Sequence, residues 1–516
     1  MSEKLLKSTA VVSSMTFLSR IMGFIRDIVI ARLFGAGLGT DVFFVAFKIP
    51  NFLRRLFAEG AFSQAFIPVL AEFRERGDRD LRELIASTSG TLAAILLAIT
   101  AIGMIAAPFL IMVFAPGFIS SPEKLVLAGD LLRITFPYLF FISLTALAGA
   151  ILNSAGKFAV PAFTPVLLNI SLILCAIYLS PYFAEPVTAL AWGVLIAGIS
   201  QLAFQLPFLI KMKQFPKPRW AWKEEGVQKI IKLMIPALFG VSVSQINLLL
   251  DTLLASFLVT GSISWLYFSD RLVEFPLGVF GIAIATVILP SLSKKHAAAS
   301  PQAFSNTIDW ALRWVFIIAT PAAIGLFYLA EPLLITLFQY DQFTTEHAHK
   351  ASLSLMAYSL GLLPFIFVKI LAPGYFARQD TKTPVKIGII AMVTNMVLNV
   401  ILMMFYAHVG LALATALAAM LNATLLFLGL RKQNVYRPNK GWKSLYLKLI
   451  TANLGLLTVL YLTTPAIVHW QMSDAAERAS MLSGIIVLAA AVYFIILQLL
   501  GIGIKQLLKP EASELD

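Results

Sequence analysis

The chain has 516 residues, of which 59% are hydrophobic and only 13% are charged, and its mean hydropathy is +0.85. Soluble domains carry about 25% charged residues, so the composition excludes an ordinary soluble protein and predicts a polytopic membrane protein. The net charge of +13 does not indicate nucleic-acid binding, because membrane proteins collect Lys and Arg in their cytoplasmic loops. The single cysteine, Cys175, excludes an intramolecular disulfide and a cysteine metal cluster.

Apolar segments long enough to cross a bilayer recur along the chain. A span needs about 20 mostly apolar residues, and this criterion predicts an all-α fold with about fourteen transmembrane helices. They lie near 8–34, 41–72, 84–114, 124–152, 158–181, 186–211, 227–259, 264–293, 305–330, 349–376, 384–405, 409–430, 443–463 and 479–503. The charges in the first span argue against a cleavable signal peptide, so we expect the N-terminus to remain in the mature protein.

Lys and Arg fall on alternate loops. Residues 211–223 and 431–443 are rich in both, whereas the loops near 35–40, 115–122 and 260–263 contain neither. By the positive-inside rule, this asymmetry predicts that both termini face the cytoplasm. It also agrees with an even number of spans.

Three short matches suggest an internal repeat. Residues 164–166 resemble 383–385, and two further pairs, 66–70 with 288–292 and 187–191 with 409–413, recur at nearly the same spacing. We therefore predict two six-helix lobes related by pseudo-two-fold symmetry about the membrane normal, followed by two further helices. The predicted domains are an N-lobe at 1–215, a C-lobe at 216–432, and an appendage with the C-terminal tail at 433–516.

Charged residues lie at membrane depth in the spans that begin each predicted lobe. An Arg at mid-bilayer costs roughly 2.5–3.5 kcal/mol even on insertion scales, and Arg26 and Arg54 have no acid on the same helix face within one turn. The candidates for a cationic cavity that binds an anionic substrate are Arg20, Arg26, Asp27, Arg54 and Arg271. Supporting charges are Asp41, Arg55, Glu59, Asp270 and Glu274.

The spacing of these charges also favours ion pairs. Arg55 with Glu59 is an i,i+4 pair and Arg271 with Glu274 an i,i+3 pair, so both are expected to pair within one helix. Arg20 and Asp27 lie two turns apart on one face and are expected to bridge to a neighbouring helix. Ion pairs that only hold helices together remain an alternative to the cavity.

The second lobe contains oxygen ligands at membrane depth. Asp251, Asn395, Asn399 and Thr415 provide the carboxylate, amide and hydroxyl oxygens that bind a small hard cation such as Na⁺. Hydrogen bonding between helices explains the same residues and is the simpler interpretation.

Enzyme signatures are missing from the sequence. The nearest approach to a phosphate-binding loop, at 149–158, has the wrong spacing and places Phe158 where a Ser or Thr must bind magnesium. We expect no catalytic activity and no cofactor.

Several motifs resemble one known family. They are 23–27 (GFIRD), 34–37 (FGAG), 40–46 (TDVFFVA), 50–63 (PNFLRRLFAEGAFS), 270–276 (DRLVEFP) and 372–377 (APGYFA). With these motifs the chain resembles the bacterial lipid II flippase family, MurJ or MviN, of the superfamily that includes MATE-type exporters. The resemblance covers essentially the whole chain.

The resemblance implies a fourteen-helix, two-lobed transporter that flips lipid II across the bacterial cytoplasmic membrane by alternating access. In the family, cavity arginines bind the diphosphate; they fall on Arg20, Arg26, Arg54 and Arg271, with Asp27 as the acidic neighbour. The last two helices help to form a groove for the lipid tail. The implied partners are lipid II, membrane lipids and the cell-wall synthesis machinery, with the protein itself a monomer.

Three alternatives remain open from the sequence. A flippase for another polyprenyl-diphosphate-linked sugar would use the same charge logic. A cation-coupled multidrug exporter would prefer acidic cavity residues, which an arginine-rich cavity disfavours. A membrane scaffold without transport would use the buried arginines for folding alone.

Overall fold

The structure, a computed structural model, describes the backbone of residues 3–215 and 217–502. Within these ranges it describes all side chains except those of 3–10, 58–59, 239–244, 246–248, 282–283 and 285–286. The described chain consists of helices joined by short connections, as the composition predicts. The helices group into two compact units.

The first unit contains the described residues up to Ser264 together with Tyr340–Phe343. Its helices are α1 (Glu3–Phe34), α2 (Leu38–Arg54), α3 (Ser63–Arg76), α4 (Asp78–Ile105), α5 (Ala107–Phe114), α6 (Pro122–Thr135), α7 (Tyr138–Ser154), α8 (Ala159–Tyr178), α9 (Thr188–Lys211) and α10 (Glu225–Ala255). A π-helix, Arg55–Phe62, joins α2 to α3, and 3₁₀ turns lie at Pro116–Ser120 and Ser180–Tyr182.

Packing in the first unit centres on α8, which contacts both α1 and α9. Helix α9 also packs against α7, and α2 packs against α6. Side chains of α3, α4 and α7 form a buried apolar cluster that includes Phe66, Leu70, Leu84 and Ile151. Burial of this apolar surface and the close packing of its side chains fix the positions of these helices against one another.

The second unit contains Trp265–Gln339 and the described residues from Thr344 onward. Helix α11 (Ser262–Pro276) begins in the first unit and continues into the second, where a π-helix (Leu277–Gly281) follows it. The remaining helices are α12 (Ile282–Ala297), α13 (Pro301–Tyr328), α14 (Ala330–Phe338), α15 (Thr345–Ser359), α16 (Leu362–Phe376), α17 (Lys382–Lys432), α18 (Trp442–Thr463), α19 (Ile467–Met472) and α20 (Ala475–Leu499). Helix α16 packs on α13 and α17, and α18 packs on α20.

Helical backbone occupies most of every predicted span. Ala407, with φ 48° and ψ −128°, breaks α17 between the two spans predicted at 384–405 and 409–430. The short helices α14 and α19 were not predicted, because each is too short to show an apolar period of its own. Within the described ranges, nine helices are long and apolar enough to span a membrane. The count of fourteen crossings and the lobe boundaries after 215 and 432 stay predictions.

Candidate functional site

Arg26 lies buried on α1, where two side chains hold its guanidinium. Nε and Nη2 donate to Oδ1 of Asp27 over 3.0 and 2.7 Å, and Nη1 donates to Oδ1 of Asn169 on α8 over 3.0 Å. Asn169 in turn donates to the carbonyl of Ser19 on α1. Arg26 is 7% exposed and Asp27 1%, so the two buried charges compensate each other. These bonds orient a group whose planar fork suits phosphate.

This arrangement corrects the sequence analysis at two points. The acid that pairs with Arg26 is its immediate neighbour, because the long Arg side chain reaches Asp27 although the two positions face different directions on the helix. Arg20, expected to bridge with Asp27 to a neighbouring helix, has an exposed side chain, and its role at the site stays a prediction. Asn169 was missed, although it is the one Asn in the mostly apolar span predicted at 158–181.

Arg54 lies half-buried at the end of α2, and its Nε donates to Oδ1 of Asn51 over 3.0 Å. The next residue, Arg55, begins the π-helix. Hydrogen bonds in a π-helix run from i to i+5, and the predicted pairing of Arg55 with Glu59 stays a prediction. The side chain of Glu59 lies outside the described residues.

Asp41 is buried at the start of α2 and caps another helix. Its carboxylate accepts hydrogen bonds from the backbone N–H of Gly261 at 2.6 Å, and from the N–H and hydroxyl of Ser264 at 2.8 and 2.6 Å. These donors lie at the start of α11, where backbone N–H groups lack partners within the helix and the dipole is positive. The supporting charge predicted at Asp41 is therefore a helix cap.

Arg271 belongs to the second unit and pairs with Glu274, with Nη1 2.7 Å from the carboxylate, as its i,i+3 spacing predicted. Nη2 donates to the Tyr267 hydroxyl over 3.2 Å, and the guanidinium lies 5.0 Å from the centre of that ring. Both members of the pair are partly exposed, and Asp270 is exposed beside them.

Three of the four proposed Na⁺ ligands form a hydrogen-bonded chain in the second unit. Asn399 donates to Asn395 over 3.0 Å, and Asn395 donates to the Thr415 hydroxyl at 3.5 Å. Both asparagines are buried. Asp251 lies on α10 in the first unit. No group of three or more His, Cys, Asp or Glu that could hold a metal occurs among the described residues. The amide and hydroxyl oxygens suit helix contacts as well as a hard cation.

Helices α13, α16, α17 and α18 line an apolar cavity of about 900 Å³ that is open on one side. Its walls include Phe316, Phe327, Phe367, Phe427 and Leu457. Such a wall binds hydrocarbon and offers few partners to a polar group. Helix α18, the first of the two helices predicted as a C-terminal appendage, supplies one side of it.

Comparison with known proteins identifies the family. The family model described as "Lipid II flippase MurJ" matches residues 30–479. The chain is 52% identical to a probable lipid II flippase MurJ of Vibrio cholerae, over 98% of both chains. It is 41% identical to the lipid II flippase MurJ of Burkholderia cenocepacia, over 96% of this chain and 98% of that protein.

Solved structures agree. A lipid II flippase MurJ in an inward closed conformation superposes with a TM-score of 0.80 at 29% identity, covering 95% of this chain and 98% of that one. An inward-facing MATE family multidrug transporter of the MOP superfamily gives a TM-score of 0.68 at 14% identity, covering 82% of this chain and 98% of that one, which shows a shared fold alone. The chain belongs to the lipid II flippase MurJ family.

Proposed function

We propose that this protein moves lipid II from the inner to the outer leaflet of the bacterial cytoplasmic membrane. The observation that carries the proposal is the match to lipid II flippases along nearly the whole chain. Lipid II combines a long polyprenyl tail, a diphosphate and a disaccharide-pentapeptide. The protein must therefore bind an anion and a hydrocarbon chain, and then release both.

The predicted site arginines bind the diphosphate in this proposal. Arg26 supports the role best, because its guanidinium is oriented before substrate arrives and no binding energy is needed to order it. Arg20, Arg54 and Arg271 supply further positive charge. Since Asp27 already neutralises part of the charge on Arg26, the diphosphate is held less tightly than by a bare cation. A moderate affinity permits release on the outer side.

The apolar cavity beside α18 accommodates part of the polyprenyl tail. Its aromatic and aliphatic walls exclude the diphosphate and the sugars. The tail can therefore remain in an apolar environment throughout the passage while the polar head crosses separately.

Alternating access requires an energy source. A membrane potential, inside negative, drives the anionic head outward by roughly 2.3 kcal/mol per charge per 100 mV. A Na⁺ ion held by Asp251, Asn395, Asn399 and Thr415 is the second proposed source, supported by the proximity of the last three side chains. No further cofactor and no catalytic step is part of the proposal.

The proposed architecture comprises fourteen spans, with two six-helix lobes, two appended helices and both termini in the cytoplasm. Support for the repeat comes from the two π-helices, which begin at Arg55 and Leu277, 222 residues apart. This separation equals that of two of the sequence matches. We further propose that the protein works as a monomer beside the cell-wall synthesis machinery.

The proposal is tested by measuring outer-leaflet lipid II in cells depleted of their own flippase. Cells expressing the parent chain are compared with cells expressing Arg54→Ala at equal membrane abundance. We expect the parent to restore exposed lipid II and the variant to lose most of that activity, because a charge that meets the diphosphate is removed. Arg133→Ala is the matched control, since Arg133 forms an exposed pair with Asp130.

Three other outcomes would contradict parts of this proposal. Failure of the parent chain despite normal insertion would favour another polyprenyl-diphosphate-linked sugar, or a cation-coupled exporter. Full activity of Arg54→Ala would remove Arg54 from the site. Loss of membrane abundance in Arg54→Ala, with normal abundance in Arg133→Ala, would indicate that Arg54 serves folding.

A further inference from the structure

A small polar cleft lies against α13, where it is lined by residues other than those that line the apolar cavity. Helices α13 and α18 and the residues after α20 enclose about 240 Å³ there. The polar and charged residues that line it are Asn306, Asp309, Arg313, Asn439, Ser444 and Lys448, together with Trp310 and Trp314. We propose that this cleft binds the headgroup of an anionic phospholipid of the phosphatidylglycerol type.

The charged residues of the cleft lining are Asp309, Arg313 and Lys448. Oδ1 of this buried carboxylate accepts from the Tyr436 hydroxyl at 2.7 Å, from the Trp442 indole at 2.8 Å and from the Asn439 backbone at 3.2 Å. Oδ2 accepts from Nε of Arg313 at 2.8 Å. With Asp309 matched to Arg313, Lys448 gives the lining a net positive charge. A phosphodiester of charge −1 complements it.

The geometry leaves room for a headgroup. Arg313 also donates to the carbonyl of Lys440 over 2.9 Å, so its guanidinium is held at the cleft wall rather than moving freely. A Cβ at Gly501 would stand 3.9 Å from Nζ of Lys448, and a Cβ at Gly441 would meet nothing within 4 Å. A volume of 240 Å³ corresponds to about eight water molecules. This is enough for a phosphate with its glycerol and too little for the sugars and peptide of lipid II.

The surroundings favour a lipid over a soluble phosphate. Trp310 and Trp314 line the cleft with rings 6.2 Å apart, and tryptophan is typical of the membrane interface. Helix α18 also exposes apolar side chains on its other faces, where Leu447 and Ile450 are 67% and 57% exposed. The same helix therefore offers apolar surface to acyl chains. Basic pockets between helices on the cytoplasmic side are known to hold anionic headgroups, and the proposed topology puts the cleft on that side.

Native mass spectrometry of the purified full chain tests the site. The protein is mixed with phosphatidylglycerol or with zwitterionic phosphatidylcholine, and bound lipid is compared among the parent, Lys448→Gln and Lys443→Gln. Lys443 is exposed on the same helix and does not line the cleft. We expect Lys448→Gln to lower phosphatidylglycerol affinity about fivefold and Lys443→Gln to leave it unchanged, with phosphatidylcholine bound weakly throughout. Thermal unfolding without lipid verifies that the variants are folded.

Two results would overturn the proposal. Equal losses in both lysine variants would mean that general attraction to the membrane surface, rather than a site, holds the lipid. Displacement of the lipid by millimolar inorganic phosphate or diphosphate, with no advantage for the acylated ligand, would assign the cleft to soluble anions or to the substrate's diphosphate. A variant that fills the cleft, Ser444→Phe, gives an independent test, and it too must reduce phosphatidylglycerol binding.

Discussion

Two buried polar contacts in the first unit join residues that lie far apart in the sequence. Arg26 meets Asn169 across 143 residues, and Asp41 meets Ser264 across 223. Local spacing correctly predicted the Arg271–Glu274 pair because both residues lie on one helix turn. It could not predict Asn169 or the cap at Asp41, since those contacts exist only after the helices pack.

Removing Asn169 tests its role in holding Arg26. In Asn169→Leu, Nη1 of the buried guanidinium loses its acceptor, so we expect a stability loss of about 1–3 kcal/mol. Thermal unfolding of the purified protein measures it. Asn453→Leu is the control, because Asn453 is also buried but donates only to Leu449 in its own helix. Equal effects of both substitutions would show that the loss comes from altered packing.

The cap at Asp41 predicts a second stability effect. Asp41→Asn keeps one acceptor oxygen but turns an amide NH₂ toward backbone donors of α11, so we expect a loss of about 1.5–3 kcal/mol. Thermal unfolding again gives the measurement. Asp130→Asn should cost at most about 1 kcal/mol, because its pair with Arg133 is exposed. An unchanged midpoint in Asp41→Asn would show that the charge of the cap is dispensable.

At the scale of elements, hydrogen bonds attach the connection between α9 and α10 to α4. The backbone N–H of Arg219 donates to the carbonyl of Ala86, and that of Ala221 to the Thr91 hydroxyl. The Arg219 side chain also reaches Ser87. Composition alone suggested only a basic loop with interfacial tryptophans. Gly90 permits the contact, because a Cβ there would come within 2.3 Å of the Arg219 backbone.

Gly90→Ala should therefore detach the connection between α9 and α10 from α4. We expect faster tryptic cleavage after Arg219 and Lys223 in the solubilised protein, since the segment can no longer lie against α4. Gly388→Ala serves as control, because a Cβ at Gly388 meets nothing within 4 Å. Cleavage at the parent rate in Gly90→Ala would mean that the backbone shifts without losing the contact.

A second connection shows the same dependence on close approach. Gln342 donates from its backbone to the carbonyl of Arg32 at the end of α1, and Asp341 pairs with the Arg32 side chain at 2.6 Å. Gly35, next to these residues, has a φ of +66°. A Cβ added at Gly35 would lie 2.4 Å from the carbonyl oxygen of Gln342, so a larger residue there would clash with this segment. The sequence shows a glycine-rich turn here but not the segment that docks on it.

At the scale of the whole molecule, the distribution of Lys and Arg predicts a topology that can be measured directly. In a Cys175→Ser background, Tyr182→Cys and Lys157→Cys each place one thiol at an exposed loop position. With cytoplasmic termini, we expect a membrane-impermeant maleimide to label Tyr182→Cys in intact cells and Lys157→Cys only after permeabilisation. The reverse pattern would invert the proposed orientation.

The sequence by itself determined the class of protein, the helical segments and the family. Those properties follow from composition, from apolar runs of about membrane length and from motifs that are continuous in the chain. The tertiary structure decided which buried charges are compensated, which helices are capped and where cavities form, because these depend on groups brought together from distant positions. The π-helix at Arg55–Phe62 also belongs to the second class, since apolar periodicity does not distinguish it from an α-helix.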